Sequence, residues 1–302
     1  MLKKLEELII EAVKPYQGLP ITLSGGVDSS LLAALIKPKF AISVRLPGGE
    51  KYNETRYSKI VAKYLRIPHI VVKLIESNFD EDMKLAVKAI GRPIPHFNIF
   101  PLFSMYRALK EFGVKEVVLG DGPDETMCGY ARDMIITHLY RIFDFETFKP
   151  YKPLIEKILP PLEETLANAT GQDPRDIKKV IRGKEVYQAV GAVNIKLMRK
   201  DMDDMSNNIA KYFGITNRRP YQDNKELDKF MYGLKENEKI HNIDCGKYLL
   251  RQVAEKYLPH SIAWRKFKVG GPVYPVNKKR KWMKKGEWDK EAYLEYQKTL
   301  LQ

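Results

Sequence analysis

Two short runs of the chain combine glycines, hydroxyls and carboxylates in a way that suits phosphate chemistry: Ser24-Gly25-Gly26-Val27-Asp28-Ser29-Ser30 and Gly120-Asp121-Gly122-Pro123-Asp124-Glu125. In the first, Gly25 and Gly26 let backbone N–H groups turn toward an anion, while Ser24, Ser29 and Ser30 supply hydroxyl donors. Leu19 to Leu23 ahead of it predicts a strand. Ser29 to Ile36 after it predicts a helix, whose amino terminus adds about half a positive charge at that point. Strand, loop and helix together make a cradle for pyrophosphate. A kinase-type loop would carry a lysine after its last glycine, but here none follows and an acid, Asp28, sits inside the loop. Two like charges about 4 Å apart repel by about 4 kcal/mol at an effective dielectric of 20, so an acid beside phosphate calls for a divalent cation between them. Magnesium is the expected ion.

The second run also follows an apolar segment, Val117 to Leu119, and crowds three carboxylates into a Gly/Pro turn. Asp124 is the expected second magnesium ligand, and Gly120 and Gly122 permit close approach of a nucleotide or of a product derived from it. Neighbouring acids would also raise one pKa, as a proton acceptor requires. Taken alone the run reads equally well as a solvated acidic turn capping the next helix; the first loop gives it meaning.

The elements that must position these runs alternate. Leu19 to Leu23, Phe40 to Leu46, His69 to Leu74 and Glu116 to Leu119 predict strands, and Ser29 to Ile36, Glu54 to Leu65, Phe79 to Ala89 and Leu102 to Phe112 predict the helices between them. This is the pattern of an α/β fold with a doubly wound parallel sheet, whose site lies at the carboxyl ends of the strands. Prolines cluster from Lys149 to Pro161, and the patterns beyond are helical, ending in a Gly/Pro-rich loop (Val269 to Pro275) and a charged tail. The expected division is a nucleotide-binding lobe over 1–148 and a helical lobe over 149–302 that completes the site.

Composition narrows the setting. The 302 residues suffice for a full core, and the two cysteines, Cys128 and Cys245, form no C-x-x-C or Cys/His cluster, so neither a disulfide framework nor a zinc site is expected. Met1 to Tyr16 spaces Leu5, Leu8, Ile9, Ala12 and Val13 as an amphipathic helix rather than a signal peptide. No stretch approaches the roughly 20 apolar residues of a membrane span, so a cytoplasmic protein is expected. The net charge of +14 admits a nucleic-acid partner. Most lysines, however, are interspersed with glutamates, and only Lys278 to Lys285 forms a dense basic run.

The run S-G-G-V-D-S-S resembles the signature of the ATP pyrophosphatases, and G-D-G-P-D-E-x-x-x-G-Y (Gly120 to Tyr130) resembles G-E-G-S-D-E-x-x-G-G-Y of the asparagine synthetase family's synthetase domain. The likeness covers most of the chain. Ser43 to Pro47, Tyr52 to Leu65 and Gly91 to Ser104 are similar to segments of that domain. Arg218-Arg219-Pro220-Tyr221-Gln222-Asp223 is similar to its R-x-P-F-L-D, and Lys247 through Arg251, Tyr257 to Pro259 and Ala263-Trp264-Arg265 to its K-x-x-L-R, Y-L-P and A-W-R segments. The resemblance implies an adenine nucleotide alpha hydrolase-like sheet and an enzyme that cleaves ATP to AMP and pyrophosphate. A carboxylate, with aspartate the first choice, would pass through an acyl-adenylate and be aminated by ammonia.

The resemblance also implies roles. Leu23 and Val44 line the adenine pocket, Asp28 and Asp124 hold magnesium, and Asp121 takes the place of the family's glutamate that helps ammonia lose a proton. Lys268, or else Lys266, stabilises the departing pyrophosphate. Pro123 stands where the family has serine, Thr216 where it usually has glutamate, and a short insertion precedes Gly214; these departures leave the acid and its acceptor open. The chain opens Met1-Leu2 with no amino-terminal cysteine nucleophile. Nitrogen is therefore expected from free ammonia, a separate glutaminase subunit or an amine on another substrate. A homo-oligomer is compatible with the sequence. The rival readings are a tRNA-modifying adenylase using the same loop and a non-catalytic ATP-binding subunit.

Overall fold

The alternating pattern folds as the sequence implies, in a computed structural model that describes residues 1–46, 53–94, 96, 98–143, 150–151, 153–154, 159–266, 283–284 and 287–302. The amino-terminal helix is α1 (Leu2–Val13), with Leu5, Leu8, Ile9, Ala12 and Val13 all buried. The chain forms two compact units. One comprises Val13–Gly120, Asp203–Pro220 and Ala254–Gln302; the other comprises Met1–Ala12, Asp121–Met202 and Tyr221–Val253.

The first unit is built on five parallel strands. These are β1 (Ile21–Thr22), β2 (Ala41–Arg45), β3 (His69–Lys73), β4 (Glu116–Val118) and β5 (Thr216–Arg218), in the order β3-β2-β1-β4-β5. Between them run α2 (Val27–Ile36), α3 (Thr55–Leu65), α4 (Phe79–Ile90) and α5 (Ile99–Glu111). Ile21, Leu31, Leu32, Ile42, Val117 and Val118 are fully buried, as expected where helices cover a parallel sheet. The chain steps outward from β1 to β3, then returns to place β4 on the other side of β1. The strand order therefore reverses between β1 and β4, and a crevice at the carboxyl ends of those two strands is where such sheets bind ligands.

The helical reading of everything beyond Lys149 does not extend to Thr216–Arg218. This segment is the edge strand β5, with Thr216 N–H donating to Lys115 C=O at 2.8 Å and Leu119 N–H to Arg218 C=O at 2.8 Å. Three residues with polar side chains carry no periodic signal; Arg218 pairs with Glu116 on β4, and Asn217 accepts from Tyr106 Oη at 2.5 Å, so tertiary contacts hold the strand.

The second unit is mostly helical, and it also holds a short antiparallel pairing of Ile240–Asn242 with Cys245–Gly246 that the helical reading beyond Lys149 did not include. It includes α6 (Pro123–Thr126), α7 (Ala131–Phe143) and the helices Leu162–Thr170, Pro174–Ile181 and Val186–Val193, around a core of Ile136, Leu166, Ala167, Ile177, Val190 and Val193. A π-helical turn, Asn194–Met198, links Val186–Val193 to Arg199–Tyr212. Residue 149, the expected lobe boundary, falls within the Asp121–Met202 segment of this unit, and the chain passes from the sheet unit into it at Gly120/Asp121. Cys128 and Cys245 are both buried thiols. Among the described residues no helix is long and apolar enough to cross a membrane. The 278–285 basic run lies almost wholly outside the described residues.

Candidate active site

The first loop sits at the end of β1, beside the reversal of strand order. Gly26 precedes α2 in extended conformation, and the first intrahelical bond runs from Ser30 N–H to Gly26 C=O at 3.1 Å. The N–H groups of Val27, Asp28 and Ser29 therefore belong to the open amino terminus of the helix. The loop is cross-braced: Ser24 N–H donates to Ser29 Oγ at 3.2 Å, the two hydroxyls lie 3.1 Å apart, and Gly26 N–H donates to Ser24 Oγ at 3.2 Å. Gly25 has φ +72°, and a Cβ there would lie 2.5–2.6 Å from Tyr57 and Ser58 at the start of α3, so only glycine fits. Ser30 is fully buried, and its Oγ has no hydrogen-bond partner among the described residues.

Gly120 closes the same corner, where a Cβ would approach Ser29 N to 2.9 Å. Gly120 thus packs against α2's first turn. Leu23 is 2 % exposed and continues the β1 ladder through its N–H to Ile42 C=O at 2.8 Å; Val44 is half-buried on β2. Ser43, between Ile42 and Val44, donates its hydroxyl to Leu23 C=O at 2.5 Å and meets His69 Nε2 at 2.8 Å. Burial, and then Lys59 nearby, lowers the His69 pKa, which favours a neutral ring donating to Ser43. The sequence offered no sign of this Ser43–His69 chain, because its partners come from adjacent strands.

In the helical unit the acidic turn is densely paired. Asp124 Oδ1 lies 2.6 Å from Lys247 Nζ, and both side chains are largely buried. A Cβ on Gly129 would lie 2.2 Å from each of Asp124 Oδ1 and Lys247 Cε, so glycine is required for the pair to form. Glu125 accepts from Tyr130 Oη at 2.5 Å. Burial first, and Asp124 next, push Glu125 up to about 7 against the opposing pull of Tyr130 and Arg199. Arg199 chelates Asp228 through two 3.0 Å bonds. Lys247 is the functional candidate that motif reading passed over: K-x-x-L-R was matched as a segment, but nothing local joins its lysine to Asp124.

Asp133 is a second raised acid. It is 1 % exposed, accepts from Asn194 Nδ2 at 2.7 Å and lies 3.5 Å from Arg132 Nε, yet burial pushes it from 3.8 up to about 7. Because the folded-state value exceeds the unfolded one, the folded form binds more protons in that window, and stability is lost as pH rises through it. Asp133→Asn is therefore expected to shrink the loss of unfolding free energy between pH 5 and pH 8 by about 2–3 kcal/mol. Urea melts at the two pH values measure it, and parallel losses in wild type and variant would refute the assignment.

Lys266 is exposed beyond the His260–Ala263 helix, and Lys268 lies outside the described residues. Among the described residues no cluster of three or more His, Cys, Asp or Glu could hold a metal. Asp28, 4 % exposed within the loop, supplies the hard oxygen donor that magnesium takes. Asp124 supplies another but shares its carboxylate with Lys247. One or two carboxylates completed by phosphate oxygens are the usual magnesium set, and the buried carboxylate of Asp28 is chemically suited to be one of them.

A five-stranded parallel α/β sheet with a glycine-serine loop at its switch point defines a nucleotide-binding class. The sequence model described as asparagine synthase matches residues 4–296, and the chain belongs to the asparagine synthase family. A Methanocaldococcus jannaschii protein provisionally named glutamine-hydrolysing asparagine synthetase 1 is 28 % identical over 94 % of this chain and 52 % of its own length. Asparagine synthetase B, glutamine-hydrolysing, of Escherichia coli is 24 % identical over 81 % of this chain and 39 % of its own. An NH3-dependent NAD+ synthetase from Carboxydothermus hydrogenoformans is 32 % identical over 26 % of this chain. The chain spans about half the length, or less, of the two asparagine synthetases it matches.

Proposed function

We propose that the chain is an ATP-dependent amide ligase that forms AMP and pyrophosphate while activating a carboxylate as its acyl-adenylate for attack by ammonia. The observation that carries this reading is the braced loop Ser24–Ser30 at the reversal of strand order, in a chain of this family. Loop N–H groups, serine hydroxyls and the α2 amino terminus hold and orient the outer phosphates, so charge building on pyrophosphate meets donors already in place. Leu23, Val44 and Gly120 shape the adenosine side. Asp28 and Asp124 would hold magnesium, which supplies charge neutralisation on the phosphates. Asp121 takes the proton released by the attacking amine, and Lys268, with Lys266 as the alternative, offsets the charge of the departing pyrophosphate.

Aspartate is the first substrate assignment, in line with the asparagine synthetases matched. Ammonia is supplied free or by a separate glutaminase subunit, and the setting is the cytoplasm. The test is pyrophosphate release with each amino acid, with and without ammonium, followed by mass analysis of the product. Aspartate- and ammonium-dependent AMP formation with asparagine as product is expected. ADP as product would overturn the reading, and AMP formation that requires RNA and ignores aspartate would transfer it to tRNA modification.

A further inference from the structure

The phosphate loop contains a Gly-Gly peptide, the kind of linkage whose plane turns over most cheaply because neither residue has a Cβ to resist. In a trans peptide the carbonyl of one residue and the N–H of the next point in opposite directions. Here Gly25 C=O points to Arg265, which donates from Nη1 at 3.2 Å, and Gly26 N–H points the other way, to Ser24 Oγ inside the loop. Turning this plane over would break both the Arg265 bond and the Gly26 N–H brace to Ser24 Oγ, and would aim the Gly25 carbonyl oxygen into the loop that is meant for phosphate. That exchange would harm phosphate binding and leave the adenosine side untouched.

Arg265 is itself immobilised. Its Nη2 donates to Glu54 at the amino end of α3, and its guanidinium lies over the Tyr57 ring, 3.7 Å from the centroid. The side chain is only 6 % exposed, too enclosed for a free surface cation. Tyr57 and Ser58 are also the residues that crowd Gly25, so the start of α3 and the Arg265 packed against it both contact the loop at this glycine. All of these residues belong to the sheet unit. Arg265 also directly precedes Lys266 in the chain. A planar fork that stacks on a ring while donating to two acceptors is a task lysine cannot reproduce.

We infer that Arg265 is a positioning residue that latches the Gly25–Gly26 peptide in its phosphate-binding orientation through Gly25 C=O, Glu54 and Tyr57. The inference rests on the phosphate-loop reading given under Proposed function and adds to it a residue that acts through the loop. The experiment is titration calorimetry of wild type, Arg265→Ala, Arg265→Lys and Glu54→Gln with ATP, pyrophosphate and adenosine, with magnesium present. Thermal melts check that each variant is folded. Arg265→Ala is expected to weaken ATP and pyrophosphate at least about tenfold, the scale of one lost charge-assisted bond, with adenosine unchanged. Arg265→Lys should fail to restore them, and Glu54→Gln should weaken both phosphate ligands by a smaller factor. Should Arg265→Ala not fold, Glu54→Gln carries the test. Unchanged affinities, or equal losses for all three ligands, would overturn the latch alone. Wild type binding neither ATP nor pyrophosphate would overturn the phosphate-loop reading and the latch with it.

Discussion

Replacing Asp28 by asparagine is expected to abolish magnesium dependence and to lower pyrophosphate release by about 10²–10³-fold, the scale seen when one group stabilising transition-state charge is removed. The same change should tighten ATP binding in the presence of a chelator, because the carboxylate then only repels the phosphates. Opposite signs with and without magnesium separate a metal ligand from a merely structural acid. Stability should change little: an acid in the first turn of α2 gains only about 0.3–1 kcal/mol from the helix amino terminus, and asparagine keeps the shape. Magnesium titrations of nucleotide affinity and turnover, wild type against variant, measure both arms. Retained magnesium dependence would remove Asp28 from the metal site.

Asp28 was legible because the loop is contiguous: a strand, two glycines, an acid and a helix start lie within about a dozen residues, and each leaves its own local signal. The helices α3 and α4 were legible for a related reason, since their periodic burial is written into single segments; α3, expected over Glu54 to Leu65, runs Thr55–Leu65. Illegible were the contacts between segments far apart in the chain. Arg265 reads as one basic residue among many until Gly25, Glu54 and Tyr57 are seen around it. Ser43 and His69 meet only because β2 and β3 pair in register, Ser43 opposite Val71. Lys247 has φ +56°, unusual for lysine, and its N–H bonds to Met127 C=O at 3.0 Å; nothing in its neighbours predicts either. Sequence pattern reports a residue's own element, whereas its partner is set by topology.

Lys247→Met is expected to destabilise the fold by about 3 kcal/mol, because it takes the cation 2.6 Å away from a largely buried carboxylate rather than merely deleting a neutral bond. Lys247 is 5 % and Asp124 17 % exposed at a separation of 2.6 Å, so solvent screens the pair little. Glu125, next in sequence and already pushed up to about 7 partly by Asp124, would feel the loss of the Lys247 cation as well. Asp124→Asn alone removes the carboxylate from the buried ammonium. The double variant removes both charges and should recover most of the loss, so a double-mutant cycle by denaturant unfolding should return a coupling of about 2–3 kcal/mol. Additive losses would show the pair to be energetically inert. The same pair constrains the metal site: if Asp124 holds magnesium, Lys247 competes with the ion for one carboxylate, so Lys247→Met should tighten magnesium binding in the presence of ATP even as it weakens the fold. A variant less stable yet better at holding the cation would place Asp124 in both roles, whereas magnesium affinity that ignores Lys247 would leave Asp124 a structural acid and Asp28 the metal ligand.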